Sequence, residues 1–259
     1  MNLLFIGDVT GKAGITYLAE QLKQLRREET LDLIVANGEN AAKNGRGITI
    51  GALEELYDSG VELVTLGNHT WDQKEIYDSL DRDMRICRPA NFHEDAPGRG
   101  YLNCEVNGKQ VAVINLIGRT YMGLYESPFQ IADKIISEIR QTTSYIFVDF
   151  HAEVTSEKLA LAWYLNGKVS AVVGTHTHVQ TADERILPGG TAYITDVGMT
   201  GPRDGIIGLK KGPMIQKFID QMPNKHELEE GPRQFSAVLI TIDESGKSTA
   251  IRRILRTED

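Results

Sequence analysis

The chain has 259 residues, 41% hydrophobic and 25% charged, with a formal net charge of −8. This balance is that of a globular protein with a sizeable core rather than a disordered one. The negative excess excludes duplex DNA held on a broad basic face. Two cysteines, Cys87 and Cys104, cannot build a disulfide framework. No apolar run approaches the ~20 residues of a membrane helix, and the N-terminus has no basic lead or cleavage pattern. The expectation is one domain over 1–259, cytoplasmic, with no membrane partner.

The first apolar run, 3–6, predicts a strand. Ile15, Leu18, Ala19, Leu22 and Leu25 then recur at helical spacing. A second strand at 33–36 precedes a helix carrying Ile50, Leu53, Leu56 and Tyr57. A third strand at 61–66 precedes a short helix near 74–80. This alternation predicts α/β units whose strands are buried on both faces. Asn107-Gly108, between runs at 101–106 and 110–116, is a hairpin signal, because both turn positions need positive φ. The sheet is therefore mixed. A helix carrying Ile131, Ile135, Ile136 and Ile139 follows, then a strand at 145–148, a helix at 155–165 and a strand at 169–173. The remainder reads as β-rich, with strands at 191–195, 236–242 and 249–254, the last two joined across Glu244-Ser245-Gly246-Lys247. Two strand-rich halves with helices predict two sheets packed face to face with helices outside.

Five strands lead into residues of metal-ligand type: Asp8, Glu39-Asn40, Asn68-His69, His151 and His176-Thr177-His178. Ligands gather at the carboxyl ends of strands in open α/β sheets, so five such ends can converge on one cluster. Glycines before four of them, Gly7, Gly38, Gly67 and Gly174, are expected to allow tight turns. Asp8, Glu39, Asn40, Asn68, His151, His176 and His178 make seven candidate ligands. If Glu39 bridges, each of two metals receives four. Such pairs sit ~3.5–4 Å apart and clamp the oxygens of phosphoryl transfer. Mixed imidazole, carboxylate and amide donors suit iron or manganese, with zinc or magnesium as alternatives.

Gly7-Asp8, Gly67-Asn68-His69, His151 and Gly174-Thr175-His176-Thr177-His178 resemble four blocks of the calcineurin-like metallophosphoesterases. Gly38-Glu39-Asn40-Ala41-Ala42, the string from His151 to Lys158, and that from Thr195 to Pro202 resemble the narrower YmdB-like branch. The likeness runs from Gly7 to about Gly208. It implies a four-layer α/β/β/α sandwich of two mixed sheets and a dinuclear centre. It also implies hydrolysis of small phosphodiesters, 2′,3′-cyclic nucleotides among them; a hydroxide bridging the two metals is the expected attacking group. Thr10 stands where the superfamily usually has a histidine, and the branch implies that Asn40 replaces it. One metal then takes Asp8, Glu39, Asn40 and His178; the other takes Glu39, Asn68, His151 and His176. His69 remains free as the catalytic residue that stabilises or protonates the leaving oxygen; the alternative is that it only hydrogen-bonds the phosphate or a metal ligand. The likeness and the irregular chain at 82–130 suggest a homo-oligomer. A phosphomonoesterase or phosphoprotein phosphatase, and a slow-turnover nucleotide or RNA-end sensor, are the competing readings.

Other residues read more plainly. Gly7 to Ala13 lacks a residue and a hydroxyl for a phosphate loop. His93 and His226 read as surface histidines, and Trp71 and Trp163 as core. Asp149 and Glu153 are candidates to orient ligands, and Asp196 for a border of the site. Arg119 and Arg203 read as surface ion-pair partners.

Overall fold

In a computed structural model covering residues 1–259, the apolar run at the N-terminus forms β1 (Asn2–Ile6), and Leu3 to Ile6 are all buried. Next come β2 (Asp8–Val9), α1 (Gly11–Glu28), β3 (Leu33–Asn37), α2 (Ile50–Asp58) and β4 (Leu63–Thr65). A single 3-10 turn, Lys74–Ile76, leads into α3 (Tyr77–Arg82) and β5 (Ile86–Cys87). The hairpin of β6 (Tyr101–Val106) and β7 (Lys109–Ile117) follows. It turns on Asn107 at φ 51° and Gly108 at φ 76°, the positive pair that this dipeptide is suited to. Then come α4 (Pro128–Ile139), β8 (Tyr145–His151), α5 (Thr155–Leu165), β9 (Ala171–Thr175), β10 (Arg185–Ile186), β11 (Ala192–Ile194) and β12 (Met199–Pro202). The chain ends with α6 (Lys211–Asp220) and the hairpin of β13 (Arg233–Ile242) and β14 (Ser248–Thr257).

One sheet runs β2-β12-β13-β1-β3-β4-β5, with β14 on β13; the other runs β10-β11-β9-β8-β7-β6. Strand alternation builds the layers. Leu3, Phe5, Leu33 and Val35 face Val111, Val113, Phe147 and Val173 across the middle core. Leu4, Ile6, Ile34 and Ala36 point the other way, onto Leu18, Leu22 and Leu25 of α1 and Leu53 and Leu56 of α2. Ile114, Ile146, Val148 and Val172 cover the outer side of the second sheet with Ala132 and Ile136 of α4 and Leu161 and Leu165 of α5. The result is the expected α/β/β/α sandwich of two mixed sheets.

Three local readings change. The tail read as β-rich contains α6. Met214, Ile215, Phe218 and Ile219 carry its helical period, and Pro213 in its first turn is compatible with a helix start. The strand expected at 61–66 keeps only Leu63–Thr65. The helix expected from residue 74 opens as the 3-10 turn. No helix is long and apolar enough to cross a membrane.

Candidate metal centre

The parallel strands β1, β3 and β4 of one sheet and β7, β8 and β9 of the other end along the same edge of the sandwich. Glu39 and Asn40 follow β3, Asn68 and His69 follow β4, His151 closes β8, and His176 and His178 follow β9. Asp8 lies inside β2, paired in register with Met199 of β12. The glycines before these residues do not serve as left-handed turns: none of Gly7, Gly38, Gly67 and Gly174 has positive φ. Close approach is their role. A Cβ on Gly67 would lie 2.4 Å from both Glu39 Oε2 and His151 Cδ2, and one on Gly174 would lie 1.8 Å from the Thr195 carbonyl oxygen. The left-handed backbone falls instead on His176 (φ 101°) and His178 (φ 65°).

Four donor atoms meet at one point. His151 Nε2 lies 2.9 Å from Glu39 Oε1, 2.9 Å from Asn68 Oδ1 and 3.0 Å from His176 Nδ1. Glu39, His151 and His176 form a group able to hold a metal ion. Beside them, Asp8 is fully buried; its Oδ2 accepts from the His176 backbone N–H at 3.2 Å, while its Oδ1 has no partner. Asn40 Nδ2 donates to the Gly45 carbonyl at 2.8 Å, and Asn40 Oδ1 is also buried without a partner. His178 Nδ1 donates to the Ile207 carbonyl at 3.1 Å, and its Nε2 lies 4.0 Å from Asp8 Oδ1. A buried acceptor left unsatisfied costs about 1–3 kcal/mol. Two such oxygens beside clustered imidazoles are what a bound cation would satisfy, so this donor set fits a metal.

The electrostatics agree. Burial, opposed by the charge of His151, holds Asp8 well above the usual carboxylate range. Burial also works against ionising Glu39, but His151 and the His69 backbone N–H, at 2.9 Å, outweigh it and bring Glu39 down to about 2. Burial disfavours His151 as a cation, yet Glu39 foremost, then Asp8 and Asp149, raise it to about 9. His176 drops to about 3, from burial and the charge of His151. Without metal, His151 therefore carries a proton at neutral pH. A metal needs the lone pair on its Nε2, so binding must displace that proton. Manganese added at pH 7.5 should release at least one proton per chain, read by titration calorimetry in buffers of different ionisation enthalpy. Affinity should climb about tenfold per pH unit up to pH 9. Binding without proton release contradicts this assignment.

A shell of polar residues orients the cluster. His151 Nδ1 lies 2.9 Å from Thr175 Oγ1, which donates to Asp149 Oδ1 at 2.7 Å. Asp149 Oδ2 accepts from Thr65 Oγ1 and Asn37 Nδ2. Glu153 Oε2 stands 3.0 Å from His176 Nε2. Asp196 Oδ2 receives Thr177 N–H, Thr177 O–H and the buried Lys158 ammonium, the last at 2.7 Å. His69 Nδ1 faces Asp72 Oδ2 at 3.0 Å, and that carboxylate also accepts from Arg46 Nε at 2.8 Å. His69, Arg46 and His226 line one cleft of about 230 Å³ with Glu39, His176 and His178. His226, read from sequence as a plain surface histidine, is thus exposed but borders the site. Neither Asp72 nor Arg46 stood out in the sequence, although Asp72 lies one helical turn's spacing from His69. Arg203 pairs with Asp204, as expected of a surface arginine.

A four-layer sandwich carrying this cluster at its strand ends defines a calcineurin-like metallophosphoesterase. The YmdB-like protein family model matches residues 4–254. The chain is 50% identical over 260 residues to the 2′,3′-cyclic-nucleotide 2′-phosphodiesterase of Bacillus subtilis, covering 100% of this chain and 98% of that protein. The crystal structure of a hypothetical protein from Thermus thermophilus superposes with a TM-score of 0.93 at 40% identity, covering 100% of both chains. That of a novel phosphatase from Mycoplasma pneumoniae superposes at 0.94 with 34% identity, covering 100% of this chain and 94% of that one. The chain belongs to the YmdB-like family. NAD nucleotidase of Haemophilus influenzae shares the fold alone, with a TM-score of 0.63 at 12% identity over 98% of this chain and 55% of that one.

Proposed function

We infer that this chain is a metal-dependent phosphodiesterase of small phosphodiesters, with 2′,3′-cyclic nucleotides as its leading substrate class. The observation that carries the reading is the pair of buried, unpartnered oxygens, Asp8 Oδ1 and Asn40 Oδ1, beside the Glu39–Asn68–His151–His176 cluster. Half-identity to the Bacillus subtilis enzyme supports the substrate class. In this reading Asp8, Glu39, Asn40 and His178 hold one ion and Glu39, Asn68, His151 and His176 the other, with Glu39 shared. Iron or manganese suits the mixed donors best. Bound there, the ions supply Lewis-acid polarisation of phosphoryl oxygens and activation of water.

The chain's own part is orientation and proton delivery. Asp72 accepts from His69 Nδ1, and His69 Nε2 makes no hydrogen bond within the chain. That nitrogen is the donor that protonates the departing ribose oxygen. Arg46, held by Asp72, puts positive charge on the cleft wall where phosphate enters. The reading extends to a reducing cytoplasm, supported by the free thiols of Cys87 and Cys104. It extends also to a homo-oligomer, supported by the exposed Ile215, Phe218 and Ile219 on α6.

Metal-stripped protein should not hydrolyse 2′,3′-cyclic AMP, and manganese should restore turnover; no turnover with metal bound overturns the reading. A ribose oxygen leaves poorly without a proton, whereas nitrophenolate needs little help. His69→Ala should therefore lower kcat on the cyclic nucleotide by about 10²–10⁴-fold and spare a nitrophenyl diester. Equal loss on both removes the proton-donor role.

A further inference from the structure

A second cavity, of about 470 Å³, has a largely aromatic wall that includes Trp71, Tyr77, Phe92, Leu124 and Tyr125. Its size falls within the roughly 300–1,000 Å³ of small-molecule sites. It adjoins the metal cleft through one turn. Trp71 is two residues beyond His69, at most about 7 Å of chain away. That turn is fixed: Thr70 Oγ1 donates to the Gly67 carbonyl at 2.6 Å, and Asp72 N–H to the His69 carbonyl at 3.1 Å. The Trp71 and Phe92 rings lie 5.6 Å apart with planes at 36°, and Phe92 and Tyr125 lie 5.1 Å apart at 40°. Phe92 is buried and couples the two half-buried rings, Trp71 and Tyr125, into one aromatic wall.

Two buried polar side chains hold this wall in shape. Arg88 donates to the carbonyls of Pro89 (2.9 Å), Ala96 (3.1 Å) and Pro97 (3.2 Å), bracing the Phe92 loop from inside. Asn91 Nδ2 donates to the carbonyls of Ile117 and Glu126, and Asn91 Oδ1 accepts from the Ile117 N–H. Ile117 is the register partner of His151, so the wall is tied to the strand beside the cluster. Burial, and then the charge of Glu39, raise the Tyr125 phenol, so that ring lies within the field of the centre. Leu124 stands fully exposed at the rim, and Trp71 and Tyr125 are only half-buried. Trp71 packs against the core with part of its ring, as read from the sequence, and leaves the rest open to the cavity; Trp163, also read as core, is instead exposed on α5.

We propose that Trp71 and Tyr125, joined through the buried Phe92 ring, form a stacking subsite for the nucleobase of the substrate. The proposal rests on the phosphodiesterase reading above. In a 2′,3′-cyclic nucleotide the base is attached next to the carbon bearing one reacting oxygen. A phosphate at the cluster therefore carries the base one ribose width away, past His69 to Trp71. Every base has a π face, so stacking tolerates base identity. The amide of Asn91 is spent on backbone and cannot read a base edge, and the other polar side chains of the lining, His93 and Glu126, stand exposed to solvent. The subsite therefore selects for a base over none, and discriminates weakly among bases.

The test compares manganese-loaded wild type with Trp71→Leu and Tyr125→Leu on 2′,3′-cyclic AMP and on methyl riboside 2,3-cyclic phosphate, which has no base. Wild type should favour the nucleotide in kcat/KM by roughly 5- to 150-fold. Each substitution should cost the nucleotide about tenfold and leave the base-free ester unchanged. No wild-type preference, or equal loss on both substrates, overturns the subsite. A second readout does not need turnover. In Trp163→Phe protein Trp71 is the remaining tryptophan, and 3′-AMP should quench its emission saturably where methyl riboside 3-phosphate does not. Absence of quenching overturns the subsite even in an active enzyme. Quenching without turnover of either cyclic ester upholds the subsite and overturns the hydrolytic reading.

Discussion

Glu39→Gln should lose hydrolysis of 2′,3′-cyclic AMP by about three orders of magnitude or more. Its carboxylate is the only side chain among the seven candidates assigned to both ions. Metal-derived stabilisation of the transition state amounts to several kcal/mol, and each 1.36 kcal/mol is about tenfold in rate. An amide keeps the shape and can still accept from the His69 N–H, made at 2.9 Å by Glu39 Oε2, so the fold should survive. Two readouts separate the causes. Metal content should fall below that of wild type. In metal-free protein the His151 titration should also drop from about 9, because Glu39 is the foremost group raising it. Retained turnover with full metal content removes Glu39 as the bridge.

Asp196→Ala should be the most destabilising change outside the seven candidate ligands. Lys158 and Asp196 are both fully buried and meet at 2.7 Å. Removing one partner of a buried ion pair costs about 3–5 kcal/mol, a large share of the roughly 5–15 kcal/mol that holds a domain folded. The carboxylate also anchors Thr177 through its N–H and its hydroxyl, at 3.0 and 2.7 Å. Thr177 sits between His176 and His178, whose positive φ angles cost about 1–3 kcal/mol each where the surroundings do not enforce them. Without the anchor both imidazoles should drift. Manganese affinity should then fall by about 10–100-fold, as for residues that orient metal ligands. The double variant Lys158→Met/Asp196→Leu distinguishes the two roles. It should recover thermal stability, because apolar packing replaces a buried pair well, yet not metal affinity. Recovery of both would show that the pair does not position the loop.

Much of this fold is legible locally. The run Leu3 to Ile6 reads as a strand buried on both faces, and it is one. Asn107-Gly108 reads as a hairpin because few residues accept two positive φ values in succession, and the turn has that form. The identity of the candidate ligands is legible too, since acids, amides and imidazoles recur where apolar runs stop. Each of these signals depends on a handful of consecutive residues and on chemistry they carry unaided.

The rest required two sheets to meet. Glu39 follows a strand of one sheet and His151 ends a strand of the other, and only the packed middle core brings Oε1 and Nε2 to 2.9 Å. Lys158 ends a string that carries the family resemblance, but only its burial against Asp196 makes it the anchor of a distant loop. Gly67 reads as a turn former, but Glu39 and His151, arriving from both sheets, are what leave no room for a Cβ. His226 and Trp71 show no periodicity or spacing that marks a cleft. Local pattern determines which elements form and what chemistry they carry. Convergence, burial and the absence of a partner are properties of residues far apart in sequence, and only the tertiary structure decides them.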